Sequence, residues 1–247
     1  MARSIDRITG AVLALLACAV PASAAETGVD LALVFAVDIS ASIDLQEVKL
    51  QRDGVAQALV DPDVLASIAT GPHGRIAIAY VEWAETAHTV IDWRVVDGPE
   101  SANALAEAIR GAPESLGTVT SLSAAIDHGV QLLDAVGLAD TRRVIDIASD
   151  GRNLHGRPVQ DARDAAVARG ITVNALVVAT QDMAPGSVED LRQYFKALVI
   201  GGPRAFTLVA YGIEDFPRAM ADKLAAEISA LPADSHQHAT MPGDTRP

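Results

Sequence analysis

The chain is short of cysteine, aromatic residues and basic residues, and each shortage removes a class of function. Its 247 residues include a single cysteine, Cys18, which lies in an N-terminal apolar segment. Disulfide frameworks, thiol catalysis and cysteine-ligated zinc or iron–sulfur centres are therefore excluded from the rest of the chain. Phe, Trp and Tyr together make up 4% of residues, too few for a surface on which nucleic-acid bases stack. Lys and Arg number 19 against 32 Asp and Glu, a formal charge of −13. Such a surface repels phosphate backbones and anionic lipid, so neither nucleic acid nor a membrane surface is an expected partner. Charged residues amount to 21% with no long like-charge run, while half the residues are hydrophobic. That balance excludes an intrinsically disordered chain and predicts a core of Ala, Val, Leu and Ile. The phosphate-binding Gly-x-x-x-x-Gly-Lys, Gly-x-Gly-x-x-Gly, Gly-x-Ser-x-Gly and His-Glu-x-x-His motifs are all missing.

The N-terminus reads as a targeting segment. Arg3 and Arg7 precede the apolar run Ile8–Val20, which ends in Pro21-Ala22-Ser23-Ala24. This is the pattern of a signal peptide (residues 1–24) cleaved after Ala24, with export to the periplasm or the exterior as the expected outcome. The run falls short of the roughly 20 apolar residues of a spanning helix, so no membrane insertion is expected. Leu15-Leu16-Ala17-Cys18 is the alternative, a lipoprotein cleavage box that would leave Cys18 lipidated. Residues 232–247 are polar, contain Pro and Gly, lack periodicity and are expected to be a disordered tail. One domain, residues 29–231, remains between them.

Within that domain, Leu31–Val37, Arg143–Ala148 and Ile171–Ala179 are apolar runs without polar alternation. They predict parallel strands buried on both faces. Gly74–Val81 and Ala205–Ala210 read as further strands, the latter preceded by a Gly201-Gly202-Pro203 turn, and His88–Trp93 as a short antiparallel edge. Helical stripes lie between the strands. Leu45, Val48, Val55 and Leu59 fall within an arc of about 80°, started by the capping-box pair Asp44 and Glu47. Leu122, Ala125, Ile126, Val130, Leu133 and Val136 form a second stripe, and Phe216, Met220, Leu224 and Ile228 a third. The expected architecture is α/β: a doubly wound, mostly parallel six-stranded sheet flanked by helices, with one antiparallel edge strand.

In such sheets ligands bind beyond the carboxyl ends of the strands, where strand order reverses. Three segments converge there. The first strand runs into Asp38-Ile39-Ser40-Ala41-Ser42, Gly117-Thr118-Val119-Thr120 leads into a helix, and Arg143–Ala148 ends in Ser149-Asp150-Gly151. Carboxylates and hydroxyls are oxygen donors suited to a hard cation such as Mg²⁺. Without one, Asp38 and Asp150 would be like charges at close quarters.

Asp38-x-Ser40-x-Ser42, Thr120 and Asp150-Gly151 resemble the metal-ion-dependent adhesion site of von Willebrand factor type A domains. More narrowly, the chain resembles a bacterial family of exported type A domain proteins known only as a domain of unknown function. The resemblance is carried by Leu31–Asp38, Gly74–Trp83, Arg143–Gly151, Gly170–Asn174 and Val199–Phe206, and it covers about Asp30 to Ile228. It implies that Ser40 and Ser42 ligate Mg²⁺ or Mn²⁺ directly and that Asp38 and Asp150 hold it directly or through water. Thr120, six residues before Ile126, would alternate between direct and water-mediated contact. The open coordination position would take a carboxylate of a protein or peptide partner. Two departures concern the surroundings of the site: Ser149 stands where many type A domains have Thr, and only Asn153 follows where the narrower family tends to have two asparagines.

Other polar residues have plainer readings. Asp146 sits mid-strand among Val144, Ile145 and Ile147 and reads as a hydrogen-bonded structural residue toward the strand end. Glu82 and Trp83 could rim the site, with Trp83 better placed in the core. His73, His88, His128 and His155 lack metal-ligand spacing, and His236 and His238 fall in the tail. Beside a non-enzymatic binding module stand two alternatives: a Mg²⁺-dependent hydrolase such as a phosphatase with Asp38 as nucleophile, and a scaffold domain with a vestigial site. The hydrolase suffers from Ser at position 40, where an acid/base aspartate is needed, and from the lack of a lysine near the three segments.

Overall fold

The computed structural model describes residues 28–229, except Ile43, Ala139, Asp140, Gln181, Asp182 and Pro185. The expected signal peptide with Cys18 and the tail with His236 and His238 lie outside the described residues.

Six strands form one sheet: β1 (Leu31–Asp38), β2 (Ile76–Trp83), β3 (Ala87–Val96), β4 (Arg142–Ser149), β5 (Ile171–Ala179) and β6 (Thr207–Tyr211). Their order is β3-β2-β1-β4-β5-β6. All neighbours are parallel except β3, which pairs antiparallel with β2 and forms an edge. Every residue of β1, β2 and β5 is buried, as the unbroken apolar runs require of strands covered on both faces. Alternation then sorts them: Leu31, Leu33, Phe35 and Val37 face one layer, and Ala32, Val34 and Ala36 the other.

The first layer is built by α1 (Leu45–Leu59), α2 (Pro62–Ala69), α3 (Pro99–Arg110) and α7 (Phe216–Ser229); the second by α4 (Leu122–Ala135), α5 (Val159–Val167) and α6 (Ser187–Tyr194), which runs on into a π-turn at Phe195–Val199. The capping box of α1 forms as its sequence predicts. Asp44 accepts from the Gln46 and Glu47 amides, and Glu47 accepts from the Asp44 amide. Val48, Val55 and Leu59 are buried, but Leu45 is exposed. It sits in the first turn, before the helix has reached the sheet. In α4 the expected stripe is buried as far as Leu133, while Val136 is its half-buried C-cap. Phe216, Met220, Leu224 and Ile228 of α7 are all buried, each worth roughly 1.5–3 kcal/mol of transferred apolar surface.

Arg52 of α1 is also buried, and its partner is Glu82 of β2. Arg52 Nε and Nη2 donate to Glu82 Oε1 and Oε2 at 2.6 and 2.9 Å, and the guanidinium also reaches the Ala112 and Pro113 carbonyls. Glu82 therefore does not rim the carboxyl edge but faces α1, a correction to the expectation from sequence. Trp83 is core. Asp146 is mid-strand, the fifth of the eight residues of β4, and its neighbour is a lysine of α7.

Candidate functional site

The strand order reverses between β1 and β4, because β1 is followed in space by β2 on one side and β4 on the other. Asp38 ends β1, and Asp150 follows the last residue of β4. A crevice opens there because the chain leaves the two strands in opposite directions.

The loop after β1 turns on its own aspartate: the Ser40 amide donates to Asp38 Oδ1 at 2.8 Å. The other oxygen, Oδ2, accepts from Ser149 Oγ at 2.6 Å. Ser149 Oγ in turn accepts from the Gly151 amide. Ser149 thus ties the two site strands together and fixes the plane of the Asp38 carboxylate, a positioning role that its place beside Asp150 only hinted at.

Thr120 arrives from a loop held on three sides. The Gly117 amide donates to the Ile39 carbonyl, the Ser121 amide to the Ala84 carbonyl, and the Leu154 amide to the Thr120 carbonyl, each at 2.9 Å. The Glu85 carboxylate accepts from the Thr118 and Val119 amides, which holds its own carboxyl below the ordinary range. Nothing local in the sequence signals Glu85 for this task. Gly117 is required by proximity: a Cβ there would fall 2.0 Å from the Ala84 Cβ. Ser121 caps α4 through the Ala124 amide. Asn153 braces the same helix start by accepting from the Ser123 amide.

The outcome is a cluster of oxygens. Ser40 Oγ lies 3.0 Å from Thr120 Oγ1, and Ser42 Oγ donates to Asp150 Oδ1 at 3.0 Å. The five residues singled out from the sequence, Asp38, Ser40, Ser42, Thr120 and Asp150, are thus brought to one edge by three loops. Thr118 turns instead to Glu85. Asp38, Ser40 and Thr120 are buried, Asp150 is half-buried and Ser42 exposed. Among the described residues no group of three or more His, Cys, Asp and Glu is placed to hold a metal; this cluster offers two carboxylates and three hydroxyls.

Burial pushes the Asp38 carboxyl up to about 6, against the pull of Ser149 and Ser40 and with a further push from Asp150. Burial also raises Asp150. Two carboxylates disfavoured as anions, ringed by hydroxyls with free lone pairs, form a donor set that a hard divalent cation fits: it would restore both charges and use oxygen ligands only. Beside them a cleft of about 520 Å³ opens between Ser42, Glu47, Gln51 and Asp150 on one side and Val178–Thr180 and Gly212–Ile213 on the other. No helix among the described residues is long and apolar enough to cross a membrane.

The comparisons agree with this architecture. A family model described as "Protein of unknown function (DUF1194)" matches residues 28–232. No curated protein matches in sequence. Similar folds are those of proximal thread matrix protein 1 from the mussel byssus, solved with a zinc-occupied MIDAS motif (15% identity, TM-score 0.57, 82% of this chain and 46% of that one), and of a von Willebrand factor type A protein from Catenulispora acidiphila (15%, 0.56, 81% and 42%). The conserved hypothetical protein BatB from Bacteroides thetaiotaomicron is a third (16%, 0.52, 81% and 98%). The chain spans less than half the length of the mussel and Catenulispora proteins.

Proposed function

The chain belongs to the DUF1194 family and has the fold of a von Willebrand factor type A domain, and from that premise we propose that it is an exported binding module that grips an acidic group through a divalent cation. Asp38, Ser40, Ser42, Thr120 and Asp150 hold Mg²⁺ or Mn²⁺, and a carboxylate of a protein or peptide partner takes the remaining coordination position. The observation that carries this reading is the pairing of Ser40 with Thr120 and of Ser42 with Asp150, both at 3.0 Å, across three separate loops. The zinc-occupied MIDAS motif of the mussel protein, on a similar fold, supports it.

Each residue has a task. Ser149 and the Ser40 amide orient Asp38, so its charge is aimed before a cation arrives. The Thr120 hydroxyl sits on a loop anchored at both ends, so it approaches from a fixed direction. The cation supplies a positive charge able to bind a carboxylate. The cleft beside Asp150, lined partly by Val178, Ala179 and Ile213, would receive the apolar part of the partner near that carboxylate. Export rests on the signal-peptide pattern of residues 1–24.

A hydrolase with Asp38 as nucleophile finds less support. Asp38 is 1% exposed and both its oxygens accept hydrogen bonds, while the cleft lining includes no lysine or arginine to meet a phosphate. The test is calorimetric titration of the mature protein with Mg²⁺ and Mn²⁺, followed by capture from the exported fraction in Mg²⁺ or EDTA. Wild type should bind the cation and retain a partner only with it, and Asp38→Ala should do neither. No cation binding at millimolar concentration would overturn the reading.

A further inference from the structure

The side chains of Lys223, Asp146 and Glu227 meet at the interface of α7 with the sheet, away from the carboxyl edge, and none of the three is more than 1% exposed. Lys223 Nζ lies 2.5 Å from Asp146 Oδ1 and donates to Glu227 Oε1 at 3.2 Å. Asn174 Nδ2 donates to the same Glu227 oxygen at 2.5 Å, and the Asn174 Oδ1 is fixed by the Phe206 amide. The Phe206 ring centroid is 5.0 Å from Nζ. Val144, Leu176, Met220 and Leu224 belong to the surrounding core.

An ordinary buried ion pair would satisfy its carboxylate. This one does not: neither Asp146 oxygen accepts a hydrogen bond, and Glu227 Oε2 is likewise unpartnered. The amine is therefore within contact distance of the carboxyl group, but the contact lacks the alignment of a hydrogen bond. Burying two carboxylates and one ammonium is costly even with the Arg142 guanidinium acting on Glu227 from the side.

We infer that this cluster is a modification site, in which Lys223 Nζ forms an intramolecular amide with Asp146 Cγ. The Nζ–Cγ bond forms and one Cγ–Oδ bond breaks. The ammonium gives up two protons, which leave with that oxygen as water, so Lys⁺ and Asp⁻ become a neutral amide and nothing is oxidised or reduced. Glu227 accepts a proton from Nζ and returns it to the departing oxygen, ending as it began; it keeps Asn174 as its donor. Three features favour the step. The amine is held 2.5 Å from an oxygen of the carboxyl group it would attack, which replaces an encounter in solution. The closed core excludes the water that would reverse it. Burial, with Glu227 alongside, pushes the Asp146 carboxyl up to about 7, easing the protonation that makes its oxygen a leaving group. The bond would join the C-terminal helix covalently to the central part of the sheet.

Mass spectrometry of the purified mature chain, denatured and with its N-terminus sequenced, tests this directly. The expected mass is lower than the sequence mass by one water, and trypsin should leave the bond after Lys223 uncut, releasing a branched peptide that joins it to the segment containing Asp146. Cyclisation at Asp150-Gly151 would lose the same mass, so Lys223→Arg is the control and should restore the full mass. Glu227→Gln should restore it as well, with Lys223 and Asp146 unreacted. A full sequence mass for the wild type, or a deficit that survives Lys223→Arg, overturns the proposal.

Discussion

Ser40 Oγ and Thr120 Oγ1 lie 3.0 Å apart although eighty positions separate them in sequence. The contact exists because two loops are fastened to common neighbours: Ile39 and Ala84 each accept an amide from the segment that carries Thr120. The threonine is thus held by the same backbone that shapes the serine loop, and its hydroxyl is available without rearrangement.

Thr120→Val, which keeps shape and removes the oxygen, should therefore leave the fold intact and weaken Mn²⁺ binding about tenfold, the worth of one ordinary polar contact. Thr120→Ser should retain most of the affinity. Titration calorimetry reads both, and thermal melts provide a parallel measure, since a cation at about a hundred times its Kd adds about 2.7 kcal/mol to stability. Equal affinities for wild type and the valine variant would remove Thr120 from the ligand set.

Ser149 makes a sharper test of orientation as distinct from ligation. Ser149→Ala deletes the donor to Asp38 Oδ2 and leaves a buried carboxylate oxygen without a partner, at a cost of about 1–3 kcal/mol. Cation affinity should fall by about 10–100-fold, the usual effect of removing a group that orients a metal ligand. Ser149→Thr carries the same hydroxyl and should restore both properties. Urea denaturation with and without Mg²⁺ separates the two losses.

The cation-free domain should respond to pH through Asp38. Its carboxyl is raised from 3.8 to about 6 by burial, so the folded state holds the proton more tightly than the unfolded chain. The corresponding stability is fully present below about pH 4 and is lost as pH rises through about 6, amounting to about 3 kcal/mol. In EDTA, Asp38→Asn should abolish this component, so the melting temperature of the variant relative to wild type should climb between pH 4 and 7. Saturating Mg²⁺ should cancel the wild-type loss, because the cation takes the proton's place. A difference that stays flat across this range would mean that Asp38 is not held neutral by burial.

Much of this was readable from the chain because the signals are local. Unbroken apolar runs marked the central strands, the Asp44–Glu47 spacing marked the start of α1, and the polar residues directly after β1 and β4 marked the site. Four helices left weaker traces. α2 begins at Asp61-Pro62 and α3 at Gly98-Pro99, good starting signals, but α2 is too short to display a full stripe and α3 is rich in alanine. What sequence could not supply was the partner of a buried charge. Arg52 and Glu82 look like solvated residues until α1 is laid on β2. Lys223 sits in a helix whose charges otherwise read as its wet face, and only the register of β4 against β5, with Asp146 opposite Asn174, brings a carboxylate beneath it. Glu85 is silent for the same reason, since its contacts are amides of a distant loop.

The position of β1 has a mechanical consequence. It is the strand that ends at Asp38, and it is bonded in parallel along nearly its whole length to β2 on one side and β4 on the other. A tug on a captured partner, resisted where the backbone enters at Leu31, would run lengthwise down this strand. The hydrogen bonds on both flanks lie across that direction, so they would have to rupture together in shear instead of unzipping singly, which is the arrangement best suited to a grip that must hold under load.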